Sequence, residues 1–186
     1  MNPVFLKYLG NELNLNKLEE IVYQNPELEH QVGDENYQYL IAFNYEKEKA
    51  SLEMQNFLFN YVINYEEFAN WYISKLINQS QINFPSENLF LYAKEHPKFL
   101  SKKTLQCKHY WTKKDFEIMW FDKITEIKKG NEIFLCLGSF ENDYIGITVN
   151  KKNEIWFTTF IDEKFYFGGI NMNKAIAKLL FKKYYE

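Results

Sequence analysis

Apolar and polar positions follow two different periods along this chain, and the change between them falls near Gly130. In the amino-terminal half apolar residues recur every three or four positions, the spacing of a buried helical stripe. Asn16 followed by Glu19 predicts a capped helix that turns Leu18, Ile21 and Val22 inward and stops at Asn25-Pro26. The polar run ELEHQVGDENYQ, with Gly33 in its middle, predicts a loop or short turn. From about Glu46 to Asn78 the helical spacing returns, with Leu52, Phe57 and Tyr61 beside Met54, Leu58 and Val62. Asn64 and Glu67 repeat the Asn-x-x-Glu cap and divide this region into helices over 46–63 and 65–78. The second is aromatic over much of its surface, through Tyr65, Phe68, Trp71 and Tyr72. NQSQINFPSEN reads as a linker, followed by a short helix over 87–95 that His96-Pro97 ends.

The lysine-rich residues 98–114 read as an exposed connection, and the alternation of Phe116, Ile118 and Trp120 then favours a strand. Beyond Gly130 the segments NEIFLCLG, DYIGITVN, NEIWFTTF and KFYFGG are short and rich in β-branched and aromatic residues, with Asn, Asp, Lys and Gly between them. They predict an antiparallel meander. In its second strand Ile145, Ile147 and Val149 face the core, and Tyr144, Gly146, Thr148 and Asn150 face the other way. A last helix over 173–184 carries Ile176, Leu179 and Leu180 on one side, enough to cover the sheet. The expected class is α+β: a single domain over 1–186, its helical amino-terminal half packed against a carboxy-terminal antiparallel meander of about four to five strands with a closing helix.

Composition narrows the picture. At 186 residues and 46% hydrophobic content the chain has ample material for a core. No run approaches the roughly 18 apolar residues of a membrane span, and MNPVFLKYLG lacks the basic lead and apolar centre of a secretion signal. A soluble, cytoplasmic protein with no membrane partner is expected. Cys107 and Cys136 are too few for a disulfide framework.

Every one of the 22 basic residues is lysine. Arginine is the usual side chain for forked phosphate and guanine recognition, so its absence argues against sequence-specific nucleic-acid binding. The net charge of −3 hides a polarity: residues 1–95 hold 6 lysines against 14 carboxylates, a net −8, and residues 96–186 hold 16 against 11, a net +5. The halves either form oppositely charged faces able to steer a partner or lie side by side and neutralise each other.

Catalytic constellations are hard to find. His30 lies in an acidic run and His96 at a helix end. Cys107 and His109 could supply half of a zinc site, with Cys136 as a third ligand, but ordinary core and surface roles account for all three. The glycines form neither a GxGxxG nor a Walker pattern. Glu66 and Glu67 read as a solvated helix face. Lys102, Lys103, Lys108, Lys113 and Lys114 interleave with His109, Tyr110 and Trp111, a composition suited to non-specific phosphate and base contacts, opposed by the acidic first half. No catalytic residue, metal or cofactor is assigned.

The stretch NEIFLCLGSFENDYIGITVNKKNEIWFTT resembles the central hairpins of the SUKH superfamily, which includes bacterial immunity proteins and a yeast cell-wall-synthesis regulator. The similarity rests on Leu137, Gly138 and Ser139, on Asp143, Tyr144 and Ile145, and on Asn153, Ile155 and Trp156, and covers about the last third of the chain. The family's Leu-Pro turn and Asn-Gly-Gly segment have no counterpart. The resemblance implies a non-catalytic, immunity-type inhibitor that binds a toxin. Such a partner is often basic, so Glu27, Glu29, Asp34 and Glu35, with Glu141, Asp143 and Tyr144 in the hairpin turn, are the candidate contacts. Two other readings are a small-molecule-binding domain or enzyme with an aromatic-lined pocket, and a structural or phage-derived assembly protein. The sequence leaves oligomeric state open.

Overall fold

The computed structural model describes residues 2–85, 87–141, 144–182 and 185, and the chain divides into two compact units, Met1–Tyr72 and Ile73–Glu186. The first is helical. It opens with α1 (Pro3–Leu9), which the hydrophobic spacing did not single out: Asn2 caps it by accepting from Val4 N at 2.8 Å, and proline stands where its missing N–H costs nothing. Helix α2 (Leu15–Gln24) starts earlier than expected, because Asn14 rather than Asn16 supplies the cap, accepting from Lys17 N at 2.8 Å. Leu18 and Val22 are fully buried, as the pattern predicts.

The polar run read as a loop is instead two helices, α3 (Leu28–Val32) and α4 (Asp34–Ala42), broken at Gly33. Their apolar residues are few but well placed: Leu28 and Leu40 are fully buried, and Tyr37 is buried with its hydroxyl donating to Val22 O at 3.4 Å. A few deep anchors hold an otherwise polar segment helical, which composition alone conceals.

Helix α5 (Ala50–Phe57) runs on as a π-helical turn over Leu58–Val62, and Asn64 then caps α6 (Tyr65–Gln79), its side chain accepting from Glu66 N at 3.0 Å and Glu67 N at 3.1 Å. The split at Asn64 is as the sequence indicates. The stripe is narrower than expected, since Met54, Leu58 and Phe57 are buried but Leu52 and Tyr61 are exposed.

The second unit holds the end of α6, α7 (Leu89–Glu95, capped by Asn88), a six-stranded sheet and α8 (Met172–Phe181, capped by Asn171). The strands are β1 (Thr104–Lys108), β2 (Asp115–Lys129), β3 (Glu132–Phe140), β4 (Ile145–Asn150), β5 (Ile155–Thr159) and β6 (Phe165–Gly169), all antiparallel and in sequence order. Strand β1 corrects the expectation of a connection over 98–114: Leu105 is fully buried opposite Ile118, and Leu100 and Tyr110 are buried beside it. The class is α+β, with a helix-rich amino-terminal part, an antiparallel sheet and a closing helix.

Helices α7 and α8 cover the face that carries Leu105, Ile118, Phe140, Ile145, Ile147, Val149, Ile155 and Phe157, with α7 against β3 and β4 and α8 against β5 and β6. The opposite face of β4 is also buried, contrary to a simple in-and-out strand. Thr148 donates to Trp156 O at 3.1 Å and lies 3.4 Å from the Thr158 hydroxyl, so this polar row is satisfied internally. Gly146 makes room for the covering ring, since a Cβ there would stand 2.6 Å from Phe160 Cζ. Phe134 meets Phe165 at 4.8 Å and Trp156 edge-on at 6.2 Å on the same face.

Candidate functional site

Helices α3 and α4 are too short to stand alone, and the N-cap of α3 with the first turns of both helices brings four carboxylates together within nine positions of sequence. Glu27, Asp34 and Glu35 are exposed and Glu29 is half-buried. Glu29, Asp34 and Glu35 sit in first turns, where the helix dipole favours negative charge. Gln38 donates to Asp34 at 3.3 Å, and among the described residues no lysine pairs with any of the four. Elsewhere in this unit Lys17 pairs with Glu20, and Lys47 with Glu53 at 2.5 Å. The unit Met1–Tyr72 holds 4 lysines against 12 carboxylates, a net −8.

The remaining candidates lie in the second unit, at the β3–β4 turn. Glu141 is exposed in a left-handed conformation at φ 52°, and Tyr144 is 58% exposed. Their main chains tie the turn to the sheet: Tyr144 N donates to Glu141 O at 3.3 Å, and Phe160 N donates to Tyr144 O at 3.1 Å. Asp143 lies outside the described residues. Glu141 also borders a groove of about 510 Å³ lined by Gln106, Asp115, Glu117, Phe116 and Met119. The six described candidates therefore form two sets, one in each unit.

The thiols do not look reactive. Burial pushes both Cys107 and Cys136 up to about 12, so each is protonated at neutral pH. Cys136 is buried and directs its thiol to Gly138 O at 3.7 Å, and His109 accepts from Thr112 N at 3.3 Å through Nδ1. No group of three or more metal-ligating side chains occurs among the described residues. The lysine and aromatic run is largely structural as well: Tyr110 is 1% exposed, Lys113 Nζ lies 4.5 Å above its ring, and only Trp111 offers an open aromatic surface in that run.

An aromatic-lined cavity of about 500 Å³ lies on the sheet between β2 and the β5–β6 hairpin, bounded by Thr125, Ile127, Lys129, Thr158, Phe160 and Phe165. Trp156 belongs to the same face, and its indole N–H is buried with no acceptor among the described residues. Sequence reading did not mark this cavity. Its walls come from strands remote in sequence, which no local pattern brings together. No described helix is long and apolar enough to cross a membrane. Comparison with family models, characterised proteins and solved structures finds no match for this chain.

Proposed function

We propose that this protein is a non-catalytic binding module of the immunity type, an inhibitor that occupies a basic bacterial toxin domain through the acidic surface of α3 and α4. The observation that carries the reading is the set Glu27, Glu29, Asp34 and Glu35, four carboxylates at the starts of two consecutive helices with no lysine partner among the described residues. Carboxylates without an internal lysine partner keep their charge for a cationic surface and accelerate encounter with it. The resemblance of the sequence over 131–159 to SUKH hairpins points in the same direction. Co-expression of the chain with the toxin domain encoded beside it should restore growth, and a complex should co-purify. Growth that stays arrested while the chain is folded and abundant would reject the reading.

A second reading, a small-molecule-binding domain, is favoured by the cavity of about 500 Å³ with Phe160 and Phe165 on its wall, on the sheet face that also carries Trp156 with its buried, unpartnered N–H. A ligand with an apolar body and a hydrogen-bond acceptor suits it. Thermal-shift screening of such compounds, with Phe160→Ala as the control, separates this reading from the first.

A further inference from the structure

Strand β2 spans Asp115–Lys129, but its outer neighbour β1 pairs only with residues 115–119. The remainder of β2 has β3 on one side, with register resuming at Thr125 after an irregularity, and forms part of the sheet's edge. The hydrogen-bonding phase of that edge follows from the hairpin. Lys129 faces Glu132 across the two-residue turn Gly130-Asn131, and Gly130 has φ 59°, as the first central residue of a type II′ turn requires. The pair that closes such a turn exchanges both main-chain bonds. Alternation then makes Ile127 with Phe134, and Thr125 with Cys136, bonded pairs as well. Glu126 and Lys128 therefore turn their N–H and C=O groups away from β3. Among the described residues these outward groups meet no partner, and both side chains are exposed.

We propose that this edge pairs antiparallel with the same edge of a second copy of the chain, in the register centred on Ile127. Glu126 then stands opposite Lys128 of the other copy, twice by symmetry, and each such pair exchanges both main-chain bonds. Half-buried Ile127 meets its own counterpart on the twofold axis. Neighbouring registers with the same phase fare worse. Centring on Glu126 or on Lys128 sets like charges face to face. Centring on Thr125 requires Asp122, whose carboxylate is already held by the Ser101 hydroxyl and by Lys102 N at 3.0 Å. Lysine on a free edge ordinarily repels another edge. Here Glu126, two positions before Lys128, turns that repulsion into attraction for this one register.

Sedimentation velocity over a concentration series tests the proposal at low salt, with circular dichroism confirming the fold of each variant. The wild type should dimerise reversibly. Glu126→Lys or Lys128→Glu alone should weaken the dimer about tenfold or more, since each sets like charges opposite one another. The double variant Glu126→Lys, Lys128→Glu should recover it, and mixing the two single variants should form a heterodimer. A wild type that remains monomeric at about 100 µM, or a dimer indifferent to both single changes, overturns the proposal. The test is independent of the toxin-binding reading, because neither residue belongs to the α3–α4 surface.

Discussion

The two units of this protein carry opposite net charge, −8 over Met1–Tyr72 and, with 18 lysines against 13 carboxylates, +5 over Ile73–Glu186, yet they use that charge differently. Many cations of the second unit act within the fold. Lys178 donates to Phe167 O at 2.8 Å and Lys103 to Gln81 O at 2.7 Å, Lys164 pairs with Asp162 at 2.7 Å, and Lys129 lies 4.4 Å above the Phe165 ring. In the first unit the acids of α3 and α4 have no such internal cation among the described residues. Net charge alone thus does not show which charges lack an internal partner. On this account the sheet unit is the scaffold and the helical unit carries recognition.

The largest expected effect separates stability from recognition. In Gly138→Ala the new Cβ would stand 2.5 Å from Met119 O, a main-chain atom that cannot swing away. The cost should be about 3 kcal/mol, read from urea unfolding. Partner affinity per folded molecule should not change, and a parallel loss would break the division of labour. Reversing Glu27, Glu29, Asp34 and Glu35 to lysine should weaken a basic partner about hundredfold, roughly 2.7 kcal/mol, with the circular dichroism spectrum preserved.

Two intermediate effects sharpen the picture inside each unit. Asn14→Ala should cost the helical unit about 1 kcal/mol, whereas Asn16→Ala should fall within about 0.5 kcal/mol of wild type, as thermal unfolding of the pair can show. Glu141→Lys should weaken a basic partner no more than about fivefold, because the turn is secondary to α3 and α4; surface plasmon resonance resolves a difference of that size.

The smallest effect is a pH dependence. The Ser101 hydroxyl and the Lys102 N–H hold the Asp122 carboxyl below its ordinary range. A depressed folded-state value stabilises the fold at neutral pH, and that contribution disappears as pH falls through the folded-state value. Asp122→Asn should therefore narrow its gap to wild type on acidification, as urea midpoints at successive pH values can follow. A gap that widens would reverse the assignment.

The strands from β2 onward and the helix cap at Asn64 were legible because period and punctuation agree there, whereas Asn88, which the expected helix over 87–95 takes as an interior residue, caps α7 instead. Helices α3 and α4 were not, since their stability comes from a few residues such as Leu28 and Leu40 meeting a core that local composition does not reveal. Strand β1 was hidden by its lysines, which flank rather than interrupt Leu105. The acidic residues themselves stood out in the sequence. Their lack of lysine partners did not, because linear charge order cannot tell the free Glu35 from Glu53, which Lys47 neutralises at 2.5 Å. The free half of β2 was invisible for a similar reason: an edge exists only relative to the length of the neighbouring strand.

The most direct test of recognition by the helical unit is isothermal titration of a basic toxin domain with wild-type chain and with the variant carrying lysine at 27, 29, 34 and 35, each at low and at moderate salt. The account predicts tight, salt-sensitive binding by the wild type and about a hundredfold weaker binding by the folded variant. Equal affinities for the two chains, with the same salt dependence, would contradict it.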